Sequence, residues 1–143
     1  MKTERLKADE QGIARAGELL REGKLVAVPT ETVYGLAANA LDGGAVAKIF
    51  AAKGRPMDNP LIVHIARLED ILPLVREFPA QARALAEAYW PGPMTIILPK
   101  AECIPEEVSA GLSTVAVRFP SHPAAQAIIR AAGVPLAAPS ANS

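Results

Sequence analysis

The chain has 143 residues, half of them apolar, and fifteen basic side chains balance fifteen acidic ones. That length suits one domain able to bury roughly two-thirds of its unfolded surface, and a balanced charge argues against a protein whose main task is broad electrostatic coating of nucleic acid or membrane. A single cysteine, Cys103, excludes an internal disulfide and a multi-cysteine zinc site. With no run near the roughly 18 apolar residues of a membrane span, the expectation is a cytoplasmic protein with no membrane association.

Residues 9–22 read as a helix, with Ile13, Ala16, Leu19 and Leu20 on one face and Gly23 as a natural stop. A short buried strand follows over 25–28 and ends at Pro29. Asp42 is placed to cap a second helix, which runs to Lys53 and terminates at Gly54. Residues 61–65 form a strand, 79–89 a helix with proline in its first turn, and 95–98 and 115–119 two further strands. Ser121 is placed to cap a helix over 123–132, which Gly133 ends before a last strand at 136–138. Helices alternating with short apolar strands predict an α/β fold with helices packed on a sheet. Prolines and glycines are spread through the connections, so one domain is expected over 1–143.

Four of the apolar runs finish alike: at Pro29-Thr30-Glu31-Thr32, at Pro99-Lys100, at Arg118-Phe119-Pro120-Ser121 and at Pro139-Ser140-Ala141-Asn142. Proline cannot donate to a ladder, so each marks a strand end. Ligands of open α/β sheets bind beyond strand carboxyl ends. If three of these strands run parallel, Thr30, Thr32, Arg118, Ser140 and Asn142 gather at one edge; the plainer alternative is ordinary turn chemistry. Lys53-Gly54-Arg55-Pro56 adds a mobile point charge and a planar fork with no carboxylate inside the motif, a set suited to an anion such as a nucleotide's phosphates. Basic residues ending a helix also complement its dipole, so this motif alone is weak.

Single residues carry alternatives. His64, inside Leu61-Ile62-Val63-His64-Ile65, reads first as a hydrogen-bonded core histidine. Arg118 interrupts an apolar strand and needs an anionic partner, either Glu31 or a ligand carboxylate. Tyr34 and Trp90 read as packing residues, Pro91-Gly92-Pro93 as a rigid turn, and Cys103 as an incidental thiol. The phosphate-loop, dinucleotide, zinc-protease and nucleophile-elbow motifs are absent. No acidic cluster offers a protein-built metal cage, so the expectation is metal: none, with any Mg2+ arriving on a nucleotide's phosphates.

Taken together, Pro29-Thr30-Glu31-Thr32-Val33-Tyr34-Gly35-Leu36, Lys53-Gly54-Arg55-Pro56, Asn59-Pro60-Leu61, Trp90-Pro91-Gly92-Pro93-Met94-Thr95, Val117-Arg118-Phe119-Pro120 and Ala138-Pro139-Ser140-Ala141-Asn142 resemble the YrdC-like L-threonylcarbamoyladenylate synthases. The resemblance runs in order from about Gly12 to Ser143. It implies a twisted open mixed sheet with flanking helices and a cationic concave face. It also implies a reaction: L-threonine, bicarbonate and ATP give threonylcarbamoyl-AMP and pyrophosphate, and the product serves modification of tRNA by a downstream transferase. By position it implies Lys53, Arg55, Ser140 and Asn142 as the catalytic set. Arg55, Asn59, Thr114, Ser140 and Asn142 become ATP contacts, and Thr32, His64 and Arg118 threonine contacts. Family members continue beyond the S-A-N-S motif, so the domain is expected to lack its C-terminal end. Two other functions stay open at this stage: a double-stranded RNA-binding module of the same fold, and a carbamoyl-transfer domain of the hydrogenase-maturation type.

Overall fold

The computed structural model describes residues 6–29, 34–54 and 59–139. Its helices are α1 (Glu10–Arg21), α2 (Gly43–Lys53), α3 (Ala80–Tyr89), the single turn α4 (Glu106–Ser109) and α5 (Pro123–Ala132), with a 3-10 helix over Leu68–Leu74. The strands are β1 (Val26–Pro29), β2 (Tyr34–Asn39), β3 (Ile62–His64), β4 (Thr95–Pro99), β5 (Thr114–Arg118) and β6 (Leu136–Ala138). Among the described residues they form one sheet in the order β1-β2-β6-β3-β5-β4. Only β3 and β5 pair in parallel; every other neighbouring pair is antiparallel. The expected α/β fold with a mixed sheet is therefore present. No described helix is long and apolar enough to cross a membrane.

Local chemistry explains the helix limits. Asp9 Oδ1 accepts the Gly12 amide at 2.9 Å and Asp42 Oδ1 that of Ala45 at 3.1 Å, so each carboxylate satisfies an amide of the first turn that has no partner within its helix. Gly54 closes α2 at φ 63, the left-handed conformation that glycine adopts without a Cβ penalty. The cap expected at Ser121 is instead His122, whose Nδ1 accepts the Ala124 amide at 3.1 Å. Proline at the first position of α5 places His122, one residue later than Ser121, in the extended conformation that a cap requires.

Three elements have weak sequence signals. The strand β2 is Tyr-Gly-Leu-Ala-Ala-Asn, short of β-branched residues, and becomes a strand because β1 and β6 pair with it on both sides. The 3-10 helix contains Pro73 and has no side-chain cap, and α4 is too short to show periodicity.

Each sheet face has its own core. Val63, Val115, Val117, Ala137 and Ala38 project toward α2 and α3, where Val46, Ile49, Phe50, Ala82 and Ala86 complete the larger cluster. Alternation sends Leu136, Ala138, Ala37 and Val28 to the other face, against Ala16 and Leu20 of α1 and Ala125, Ile128, Ile129 and Ala132 of α5. The α5 set is spaced i, i+3, i+4, i+7, the stripe of a helix lying on one surface. Helix α1 approaches α5 so closely that a Cβ on Gly17 would lie 2.6 Å from the Ala131 carbonyl carbon.

Strand directions correct the single edge expected for the proline-ended runs. Strands β1, β4 and β6 run one way, and β2, β3 and β5 the other. Arg118, closing β5, is therefore at the opposite end of the sheet from Pro29, Pro99 and Pro139. Thr30, Thr32, Ser140 and Asn142 lie outside the described residues.

Candidate functional site

Helices α1 and α5 pack over the β1-β2-β6 half of their face. On the β3-β5-β4 half of that face, the pleat presents Thr114, Ala116 and Arg118 from β5, Ile62 and His64 from β3, and Thr95 and Ile97 from β4. None of these joins either core cluster. Ile97 is 63% exposed, and Thr95, Thr114, Ala116 and Arg118 are each half-buried. Ile62 is buried, at 8% exposure, and His64 largely so, which leaves the β5–β4 strip as the open part of this half.

At one end of this patch of sheet, His64, Arg118 and Thr95 stand in a row across three strands, paired in register. Arg118 donates from Nε at 3.0 Å and from Nη2 at 2.6 Å to the same Thr95 Oγ1. Burial lowers its pKa from the usual value. Among the described residues no carboxylate pairs with Arg118. The partner allowed for at Glu31 lies outside them.

His64 Nδ1 is 3.1 Å from the Ile62 carbonyl, which accepts the ring N–H in the tautomer protonated at Nδ1. Burial first, and the Arg118 charge second, lower its pKa to about 4, against weaker opposing hydrogen bonds from the Ile62 and Leu136 backbone. The ring is neutral at pH 7, and the one fixed charge in this row is the guanidinium.

At the other end, Thr114 opens β5 opposite Pro99, and Asn59 is exposed just ahead of β3. Thr114 and Arg118 share a face four residues apart, roughly 13 Å at strand rise. Ala116 lies between them and pairs with Ile62 on one side and Ile97 on the other. The floor between the two polar ends is thus apolar and shallow. Lys53, the last residue of α2, is exposed. Of the expected site residues the structure brings His64 and Arg118 into register and sets Thr114 beyond them on the same face. Asn59, just ahead of β3, belongs to the Thr114 end, and Lys53 is exposed at the end of α2. Thr32, Arg55, Ser140 and Asn142 are outside the described residues.

Two aromatic expectations separate. Trp90 packs as expected, 8% exposed, with Nε1 donating to the Met94 carbonyl at 2.8 Å and an edge-on contact to Phe119 at 6.5 Å. Tyr34 does not pack: it is 74% exposed at the start of β2, because no described element covers that end of the strand. The residue that sequence reasoning missed is Thr95. It ended a quoted motif, but only the β4–β5 register places it against Arg118.

Among the described residues no three His, Cys, Asp or Glu side chains cluster to hold a metal ion. Cys103 is exposed, with its thiol 3.3 Å from the Pro73 carbonyl.

A profile of the Sua5, YciO and YrdC family, described as "Telomere recombination", matches residues 18–143. A Pyrococcus abyssi protein named threonylcarbamoyl-AMP synthase is 55% identical over 138 residues, covering 96% of this chain and 41% of that protein. A Bacillus subtilis protein of the same name is 53% identical over 141 residues, covering 98% and 41%. The crystal structure of P. abyssi Sua5 complexed with L-threonine superposes with a TM-score of 0.88 at 54% identity, over 96% of this chain and 40% of that one. The chain spans about two fifths of the length of these relatives.

Proposed function

Since this chain belongs to the Sua5, YciO and YrdC family, we propose that it is the L-threonylcarbamoyladenylate-forming domain of a nucleotidyltransferase. The single observation that carries this reading is Arg118: a half-buried guanidinium on an uncovered sheet surface, beside a neutral histidine, with no carboxylate partner among the described residues. Such a group is suited to the carboxylate of an amino acid. The names of the P. abyssi and B. subtilis relatives, and the threonine bound by P. abyssi Sua5, support threonine as that amino acid.

In this reading Arg118 holds the threonine carboxylate, and His64 and Thr32 hydrogen-bond its other polar groups. The threonine nitrogen, as the free amine, attacks the carbon of bicarbonate; water leaves and a carbamate remains. A carbamate oxygen then attacks the α-phosphorus of ATP, forming threonylcarbamoyl-AMP and releasing pyrophosphate. Two anions meet in that step, so charge neutralisation by Lys53 and Arg55 is the main electrostatic contribution, with Ser140 and Asn142 as neutral donors. Asn59 and Thr114, at the far end of the patch, contact the nucleotide. The roughly 13 Å between Thr114 and Arg118 suits a ligand with an amino acid at one end and a nucleotide at the other. Mg2+ travels with the ATP phosphates and offsets their charge. The adenylate then serves tRNA through a separate transferase, in the cytoplasm, and residues 1–143 act as the catalytic part of a longer relative-like architecture.

The test is to supply ATP, bicarbonate and each amino acid in turn and measure pyrophosphate. Threonine-dependent release is expected, and Lys53→Ala or Arg55→Ala should lower it at least ~10²-fold, the scale of a lost transition-state charge contact. Release that is indifferent to the amino acid supplied would overturn the reading.

A further inference from the structure

Thr95 is the first residue of β4 and the register partner of Arg118. Its one oxygen accepts from both Nε and Nη2 of the guanidinium. A hydroxyl has two lone pairs and one proton, so both lone pairs are directed at Arg118. Thr95 is itself tied in place. The turn before it donates the Gly92 N–H to the Phe119 carbonyl at 2.8 Å, and Trp90 Nε1 donates to the Met94 carbonyl at 2.8 Å. The approach to Thr95 is thereby fastened to the residue that follows Arg118.

Resting on the reading of Arg118 as the carboxylate contact, we infer that Thr95 is a positioning residue: it occupies the Nε/Nη2 edge of the guanidinium and so reserves the Nη1 end for the carboxylate of the amino-acid substrate. Arginine has several rotatable bonds, and an unheld side chain would have to be ordered anew at each binding event. A neutral hydroxyl does this without competing for the charge. A carboxylate at position 95 would instead neutralise Arg118 and displace the substrate. Thr95 acts on substrate affinity through Arg118 and leaves the nucleotide end of the patch, four residues down β5, untouched.

The experiment uses the full chain and three variants. Thr95→Val keeps the shape and removes the acceptor, Thr95→Ser restores it, and Arg118→Lys assigns the arginine's signal. In 15N-labelled protein the Arg118 Nε–H is expected to be protected from exchange in the wild type and in Thr95→Ser, and to exchange at least tenfold faster in Thr95→Val. Calorimetric titration with L-threonine should show about a tenfold weaker Kd for Thr95→Val, the scale of losing one hydrogen bond to a charged group, with recovery in Thr95→Ser. The Kd for a non-hydrolysable ATP analogue should stay within about twofold throughout. Unchanged Nε–H protection in Thr95→Val overturns the inference, as does equal loss of threonine and nucleotide affinity, which marks a general disturbance of the edge strand. If the wild type shows the expected protection but binds no threonine, the reading of the site as an amino-acid site fails, and the role of Thr95 toward substrate fails with it.

Discussion

The two halves of one sheet face have opposite fates. Over β1, β2 and β6 the outward residues are Val28, Ala37, Leu136 and Ala138, and two helices cover them. Over β3, β5 and β4 the same face carries Thr114, Arg118, His64 and Thr95, none of which joins either core cluster, and its β5–β4 strip is open. The difference is chemical before it is topological. Apolar side chains favour burial under a helix, whereas covering Arg118, which has no carboxylate partner among the described residues, carries a desolvation cost. One half holds the fold together and the other keeps its polar side chains outside both cores.

The contrast can be broken most strongly from the covered side. Leu20 in α1 is fully buried, and Leu20→Ala should cost about 3 kcal/mol in denaturant unfolding while leaving the threonine affinity of the folded fraction unchanged. From the bare side, Arg118→Ala should do the reverse. Threonine affinity should fall about 10²-fold by calorimetry, with an unfolding free energy within about 1 kcal/mol of the wild type.

His64 bridges the two effects. Its folded-state pKa of about 4 lies below the ordinary value of 6.5, so the unfolded chain takes up a proton first as pH falls. The stability linked to this residue is complete above about pH 6.5 and is lost progressively toward pH 4, in total on the order of 3 kcal/mol. His64→Asn should flatten that part of the stability–pH curve measured by urea unfolding, and an unaltered slope would count against the burial of the ring. The mildest change sharpens the comparison. Ala116→Leu adds bulk to the bare floor between the polar ends, so stability should change by less than about 1 kcal/mol while ligand affinity falls about tenfold.

Much of this was legible in the chain itself. Asp42 and Gly54 announced both ends of α2, and the apolar spacing of α1 placed Ala16 and Leu20 on its buried face before any packing was known. The family motifs proposed His64 and Arg118 as site residues, and the structure sets the two in register across β3 and β5. The strand β2 was not legible, because a Gly- and Ala-rich segment becomes a strand only when partners supply its hydrogen bonds. The Ser121 cap was misplaced by one residue, since two adjacent polar side chains compete and backbone geometry chooses His122.

What the amino-acid order determined alone was local: helix ends, buried stripes, strand-ending prolines and the identity of the charged groups, each set by interactions within a few residues. What only the tertiary structure decided was long-range. The direction of β5 sends Arg118 away from Pro29 and Pro139, the β4–β5 register brings Thr95 onto its guanidinium, and the placement of α1 and α5 leaves the β5–β4 strip open. A single strand carries no record of its partner or its register, because those depend on pairing between residues distant in the chain. That is why the charged and polar groups could be named from sequence while their arrangement could not.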